Sequence, residues 1–201
     1  MLRFDHLAVS CATLEEGAAA VEAALGLPLV AGGKHAHMGT HNRLLGLGDA
    51  YLEVIAIDPS APAPAWPRWF GLDGFAGAPR LTNWVAACDD LDAALAQAPA
   101  GAGVAVDLAR GDLRWRMGVP ADGQLPYGGA YPALIQWQGP HPARRLPDSG
   151  ARLARLVVTH PAAESLRKAL SGLTDTRVVL EPGPLALRAE IDTPQGRRVL
   201  A

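Results

Sequence analysis

Residues Asp5–Gly26 read DHLAVSCATLEEGAAAVEAALG, and residues Thr82–Gly103 read TNWVAACDDLDAALAQAPAGAG. At one constant offset Cys11 falls on Cys88, Leu14 on Leu91, and His6 on Asn83. Each stretch opens with an apolar run of strand character and passes at once into a helical pattern. The chain is therefore built on an internal repeat, which constrains architecture before any motif is weighed. In the first copy Thr13 and Glu16 form a capping box, Leu14, Ala18, Val21 and Leu25 make one apolar stripe, and Gly26 with Pro28 stops the helix. In the second, Asp90 caps a shorter helix with Leu91, Leu95 and Ala98 on its stripe and Pro99 at its end.

Extended segments follow each helix. The first copy has a piece near Leu29–Ala31, HNRLLGLG from His41 and YLEVIAI from Tyr51. The second has VAVDLAR from Val104, LRWRMGV from Leu113 and ALIQW from Ala133. The pattern predicts β-α-β-β-β twice, over residues 1–58 and 81–138, which together form a paired body over 1–138. A third β-α-β-β-β-like unit is predicted over 153–201. There LARLVVTH leads into Pro161 as a first helical residue, Leu166 and Leu170 share a face, and RVVLEP, LALRAEIDT and RRVLA supply short strands. The fold class is α+β.

Residues 59–80 join the two units. They open as a stiff Pro/Ala connector and then deliver Trp66, Trp69, Phe70 and Phe75, so the segment packs either as a core patch or as a lid over a pocket. The chain has 201 residues, 49% of them hydrophobic and 19% charged, with a net charge of −2. These values exclude a disordered chain, and they leave no polycationic field for nucleic acid. Short apolar runs argue against a membrane span, and MLRFDHLAVS reads as a strand rather than a leader, so a cytoplasmic protein is expected. Cys11 and Cys88 form neither a disulfide framework nor a metal knuckle and are expected as small buried side chains.

Strand alternation puts Leu7 and Val9 on one face and His6 and Ala8 on the other, so His6 belongs to a cavity or to a hydrogen-bonded core. Glu53 interrupts YLEVIAI. A metal, a cation such as Arg43 or Arg116, or a raised pKa would resolve its burial, the last making it a general base. The alternative is a solvated edge. His35 and His37 share a face if extended and could bind metal, while a loop would leave them in solvent. His41 and Asn42 suit a cavity rim or an ordered loop. Arg114 and Arg116 lie on one face, aimed either at an anionic ligand or at solvent with Trp115 beneath. Trp84 and Trp137 are expected against the helix layer. No nucleophile elbow, P-loop or dinucleotide fingerprint occurs.

The tandem units, with D-H-L on the first strand and G-T-H-N-R and Y-L-E in the first copy, resemble the vicinal oxygen chelate superfamily and its glyoxalase-like domains, which include glyoxalase I and extradiol dioxygenases. LRWRMGVP and LIQW resemble the second unit. The resemblance implies a curled mixed sheet enclosing a cavity, with a divalent metal held by first-strand and last-strand residues of both units. Carried over, these positions are His6, Glu53, Asn83 and Gln136. The two amides make poor ligands, so a weakly held metal or none is implied. One function implied is a lyase, isomerase or dioxygenase acting on a small oxygenated metabolite, with His6 and Glu53 catalytic and His6 and Glu53 also the metal ligands. The ligand contacts would be His41, Asn42, Arg43, Asn83, Arg114, Arg116 and Gln136. The other is a metal-free binding or sequestration protein using the same cavity. A third unit without a mate points to a homodimer, the competing arrangement laying it on its own chain through Leu166, Leu170 and Leu173.

Overall fold

The computed structural model describes residues 1–201. The first unit runs β1 (Leu2–Ser10), α1 (Leu14–Leu25), β2 (Val30–His35), β3 (Thr40–Gly46) and β4 (Tyr51–Ile57). The second runs β5 (Arg80–Cys88), α2 (Leu91–Gln97), β6 (Val104–Arg110), β7 (Leu113–Val119) and β8 (Ala133–Trp137). The third runs β9 (Arg152–His160), α3 (Ala163–Ala169), β10 (Val178–Pro182), β11 (Ala186–Thr193) and β12 (Gly196–Leu200).

Local chemistry sets these elements. Thr13 accepts the Glu16 N–H at the start of α1, and Gly26, at φ 69°, closes it with an N–H to the Glu22 carbonyl. Left-handed backbone at that position favours glycine. Asp90 accepts the Ala93 N–H at the start of α2. Pro161 lies just outside α3 rather than within it, and Ala162 is the cap.

The first two units form one eight-stranded sheet in the order β2-β3-β4-β1-β5-β8-β7-β6. In each unit the first strand lies parallel to the last, β1 to β4 and β5 to β8, and β1 meets β5 antiparallel at the seam. The repeat is thus a pseudo-two-fold in space. Cys11 and Cys88 confirm it: each is buried and donates its thiol to an equivalent carbonyl, Ile55 and Ile135. Burial pushes the two thiols up to about 12 and about 11, so neither is a ready thiolate.

Leu7, Val9, Trp84 and Leu134 face α1 and α2 in the main core, as alternation required. Ala8, Val85, Ala133 and Ile135 face the concave side, where Trp69, Phe70 and Leu72 from the 3-10 turn at Trp69–Gly74 cover them. The connector aromatics are thus core patch and lid at once, while Trp66 stays exposed and stacks on His37 at 4.4 Å.

The third unit has the predicted element order but different wiring. Its sheet runs β10-β9-β11-β12, with β10 parallel to β9 and β11 antiparallel on the other side. In the first two units the strand after the helix goes to the far edge; here it goes next to the first strand. Element order is the same in both wirings, so sequence pattern does not separate them. This sheet packs on the helix side of its own chain: Leu156, Leu166, Leu170 and Ile191 share one core with Leu7, Leu14 and Trp84, and Leu173 packs against it. Leu2 exchanges backbone hydrogen bonds with Gly172 and Thr174, and Arg177 grips Asp49 at 2.8 Å. The unit has its mate within the chain, which removes the reason for expecting a homodimer through it.

Candidate functional site

The site begins at a β-bulge. Phe4 pairs with Ala86 and His6 with Val85, so Asp5 is the extra residue. A bulge breaks alternation, and it brings Asp5 and His6 together although they are sequence neighbours. Asp5 Oδ1 accepts the His6 Nδ1–H at 2.6 Å. Asp5 Oδ2 accepts from Trp137 Nε1 at 2.9 Å and His141 Nε2 at 3.0 Å. The Ala143 N–H donates to His141 Nδ1, which leaves the proton on Nε2.

His6 Nε2 faces Glu53 Oε2 at 3.6 Å, and Asn42 Nδ2 makes a short hydrogen bond to Glu53 Oε1. Burial alone would lower the His6 pKa, but its bonds to Asp5 and Glu53 outweigh this and raise it to about 9. Burial alone would raise Glu53, but His6 and Asn42 pull it down to about 2. Asp5 is likewise held well below the carboxylate range by His141 and His6 against its burial. The trio is a buried carboxylate–imidazolium–carboxylate chain at neutral pH. Tyr51 stacks on the His6 ring at 4.3 Å, and its hydroxyl is pushed well above the usual range by burial and by Asp5 and Glu53.

His35 is a second, different imidazole. Its Nδ1–H donates to Thr40 Oγ1 at 3.0 Å, and its Nε2 accepts from Arg110 Nη1 at 3.2 Å. Burial lowers its pKa to about 4, with the Arg110 charge adding to that, so it is neutral. Arg110 also donates to Asn42 Oδ1 at 3.1 Å. It reaches from the free edge of β6 to the opposite edge of the sheet, where its side chain lies against Gly33 of β2. At neighbouring Gly32 a Cβ would fall 2.0 Å from Asn42 Oδ1, so this position needs glycine.

These polar groups line a cavity of about 30 Å³, walled by Trp69, Phe70, Trp115 and Trp137. That volume holds one or two water molecules.

Of the predicted residues, the structure gathers His6, Asn42 and Glu53. It separates the others, for physical reasons. His41 and Arg43 alternate with Asn42 along β3 and so lie in a shallow groove beside Leu14 on the opposite face. Arg114 is exposed and binds the Gly111 and Leu113 carbonyls. Arg116 pairs with Asp92 and Asp107 on the helix side, with Trp115 buried beneath. Glu53 is resolved by His6 and Asn42, not by Arg43 or Arg116, and its pKa falls rather than rises. His35 and His37 do not pair: the chain turns after His35, and His37 is exposed. Trp84 packs the helix layer, but Trp137 lines the cavity. Asn83 is buried on the concave face but opens into a separate cleft. Gln136 is on the helix side, where Oε1 accepts the Leu91 N–H at 3.2 Å and Nε2 donates to the Asp89 carbonyl at 2.8 Å. Asp5, Arg110 and His141 went unread, the only sequence signal for them being the Asp-His pair, whereas Trp69 was among the connector aromatics expected as core patch or lid.

The metal that the resemblance implies does not fit these residues. Glu53 stands opposite Ala8, and the matching pair in the second unit is Val85 with Ala133, so the fourth position is a methyl group and not Gln136. Glu53 is already engaged by Asn42, and no three His, Cys, Asp or Glu side chains are grouped as ligands.

No curated protein sequence matches the chain. A hypothetical protein from Staphylococcus aureus, known from its crystal structure, superposes with a TM-score of 0.66 at 15% identity, over 98% of this chain and 92% of that one. Methylmalonyl-CoA epimerase from Streptomyces coelicolor, solved with 2-nitronate-propionyl-CoA, gives a TM-score of 0.44 at 17% identity, over 68% of this chain and 95% of that one. The epimerase from Mycobacterium tuberculosis gives 0.44 at 20% identity, over 70% and 91%. The glyoxalase-like domain family matches residues 4–174, so with its paired units and polar cavity the chain belongs to that family.

Proposed function

We propose that the chain is a metal-independent proton-transfer enzyme, of isomerase or lyase type, acting on a small oxygenated metabolite in the His6 cavity. The observation that carries this is His6 itself, fixed through Nδ1 by Asp5 and presenting Nε2–H beside Glu53 in an enclosed site. Glu53 takes a proton from the carbon next to a carbonyl, and His6 gives its Nε2 proton to the developing oxyanion. The product is an enol, and both side chains end neutral, which offsets the low basicity of Glu53 in the resting pair. Asp5 keeps the ring oriented and Tyr51 packs its face. Trp115 and Trp137 give the cavity an apolar wall.

A second reading, a metal-free binding protein, is supported by the small resting cavity and by the low pKa of Glu53. Solvent deuterium exchange separates the two. With a panel of 2-oxo acids and 2-hydroxy ketones in D₂O, proton NMR is expected to show catalysed exchange next to the carbonyl, falling at least about 100-fold in His6→Gln and Glu53→Gln. Ligands that raise Tm without any exchange would establish the binding protein instead.

A further inference from the structure

Three buried side-chain atoms have no hydrogen-bond partner: Arg68 Nε, Trp69 Nε1 and Asn83 Oδ1. Buried orphans of this kind are uncommon and call for a partner. Two of them line cavities. Trp69 lines the His6 cavity, and Asn83 lines a cleft of about 520 Å³ with Arg80, Thr82 and Gln124. Phe70 is the one residue common to both linings. It sits in left-handed backbone, at φ 57° and ψ 19°, one of two non-glycine residues that do. The other, Tyr127, adjoins Gly128 and Gly129 on the cleft wall. Strain of this sort clusters at functional sites.

The sheet beneath is continuous. His6 pairs with Val85 and Ala8 with Asn83, and Ala8, Val85 and Phe70 belong to one cluster. Phe70 therefore rests on the stretch of sheet between His6 and Asn83, two side chains roughly 8 Å apart by strand geometry. The inner cavity is lined by Trp69, whose Nε1–H has no partner, and by Arg110, a guanidinium without a carboxylate partner. The outer end holds an orphaned acceptor, Asn83 Oδ1.

We infer that the two cavities are halves of one ligand site partitioned by Phe70, which takes an elongated molecule with a carboxylate at Trp69 and Arg110 and a hydroxyl or N–H donor at Asn83. This rests on the cavity being a ligand site, as proposed above, and adds the class of ligand. The probe is 6-hydroxyhexanoate, which carries a carboxylate and a hydroxyl at opposite ends of a flexible chain, with hexanoate and 3-hydroxypropanoate as comparators, all measured by calorimetry. Phe70→Ala is expected to bind 6-hydroxyhexanoate at least about tenfold more tightly than the wild type. In that background hexanoate binds more weakly than its hydroxylated analogue, and a further Asn83→Leu change makes the two equal. Phe70→Leu gives the same ranking with a smaller gain, should the alanine variant fail to fold. Equal affinity for the two six-carbon acids in a folded Phe70 variant, or no gain over the wild type, overturns the inference. Affinity is read without turnover, so catalysed exchange with no dependence on Phe70 or Asn83 rejects the partitioned site alone. Phe70- and Asn83-dependent binding without exchange rejects only the enzyme.

Discussion

Asp5 shows how one inserted residue makes a site. Without the bulge its carboxylate would point into the helix layer beside Leu7, and His6 would have only Glu53. The Asp5→Asn variant is expected to drop the His6 pKa from about 9 to its ordinary 6.5 or below, read by NMR titration of the ring. It should also cost about 3 kcal/mol, because one buried charge loses its partner. An unchanged titration would mean that Glu53 alone holds the proton. Alternation in HLAVS was enough to place His6 and Ala8 on the concave face and Leu7 and Val9 under the helix. Asp5 was not legible, because a bulge is set by pairing with β5, a long way along the chain. Arg110 was unreadable for a related reason: it acts across the gap between two sheet edges, and sequence does not show that they meet.

Among the elements, the two copies were legible because a cap, an apolar stripe and a stop recur at fixed spacing. Register was not. Gln136 was matched to Glu53 by its place near a strand end, whereas pairing shows Ala133 in that role. Gln136 instead ties the start of α2 to β8. Gln136→Ala should therefore cost about 1 kcal/mol, a Tm loss of roughly 2–4 °C, with no change in ligand affinity. Loss of affinity without loss of Tm would return it to the site. Gly32→Ala on β2 should disturb the site as well as stability, displacing Asn42 from Glu53 and destabilising by about 1–3 kcal/mol through overpacking. Thermal melts with NMR of the Asn42 amide would check both effects.

Across the whole molecule, the ionisation of the site sets a stability optimum. His6 binds its proton more tightly when folded, at about 9 against 6.5, so its contribution is complete below pH 6.5 and lost as pH rises to 9. His35 is depressed to about 4, so folding is penalised as pH falls from 6.5 towards 4. Glu53, at about 2 against 4.5, adds a further loss below pH 4.5. Tm should peak near pH 6.5 and decline on both sides. Calorimetry checks this, with His35→Gln flattening the acid limb above pH 4.5. A profile flat up to pH 9 would show that His6 is not held protonated. At the same scale Leu166→Ala, fully buried in the core that the third unit shares with the first two, should cost roughly 3 kcal/mol. A two-step unfolding curve for this variant would mean that the third unit melts apart from the first two.

The position of β1 has a consequence in time. It lies mid-sheet, flanked by β4 and β5, while Leu2 bonds to Gly172 and Thr174, and Leu81 of β5 bonds to Ala201. Every partner of β1 lies further along the chain, Gly172 and Thr174 being the most distant of those named. Such long-range closure slows folding to milliseconds or seconds. An apolar strand kept waiting is open to wrong pairing, so the segment that seats the histidine is the one most dependent on protection while the chain emerges.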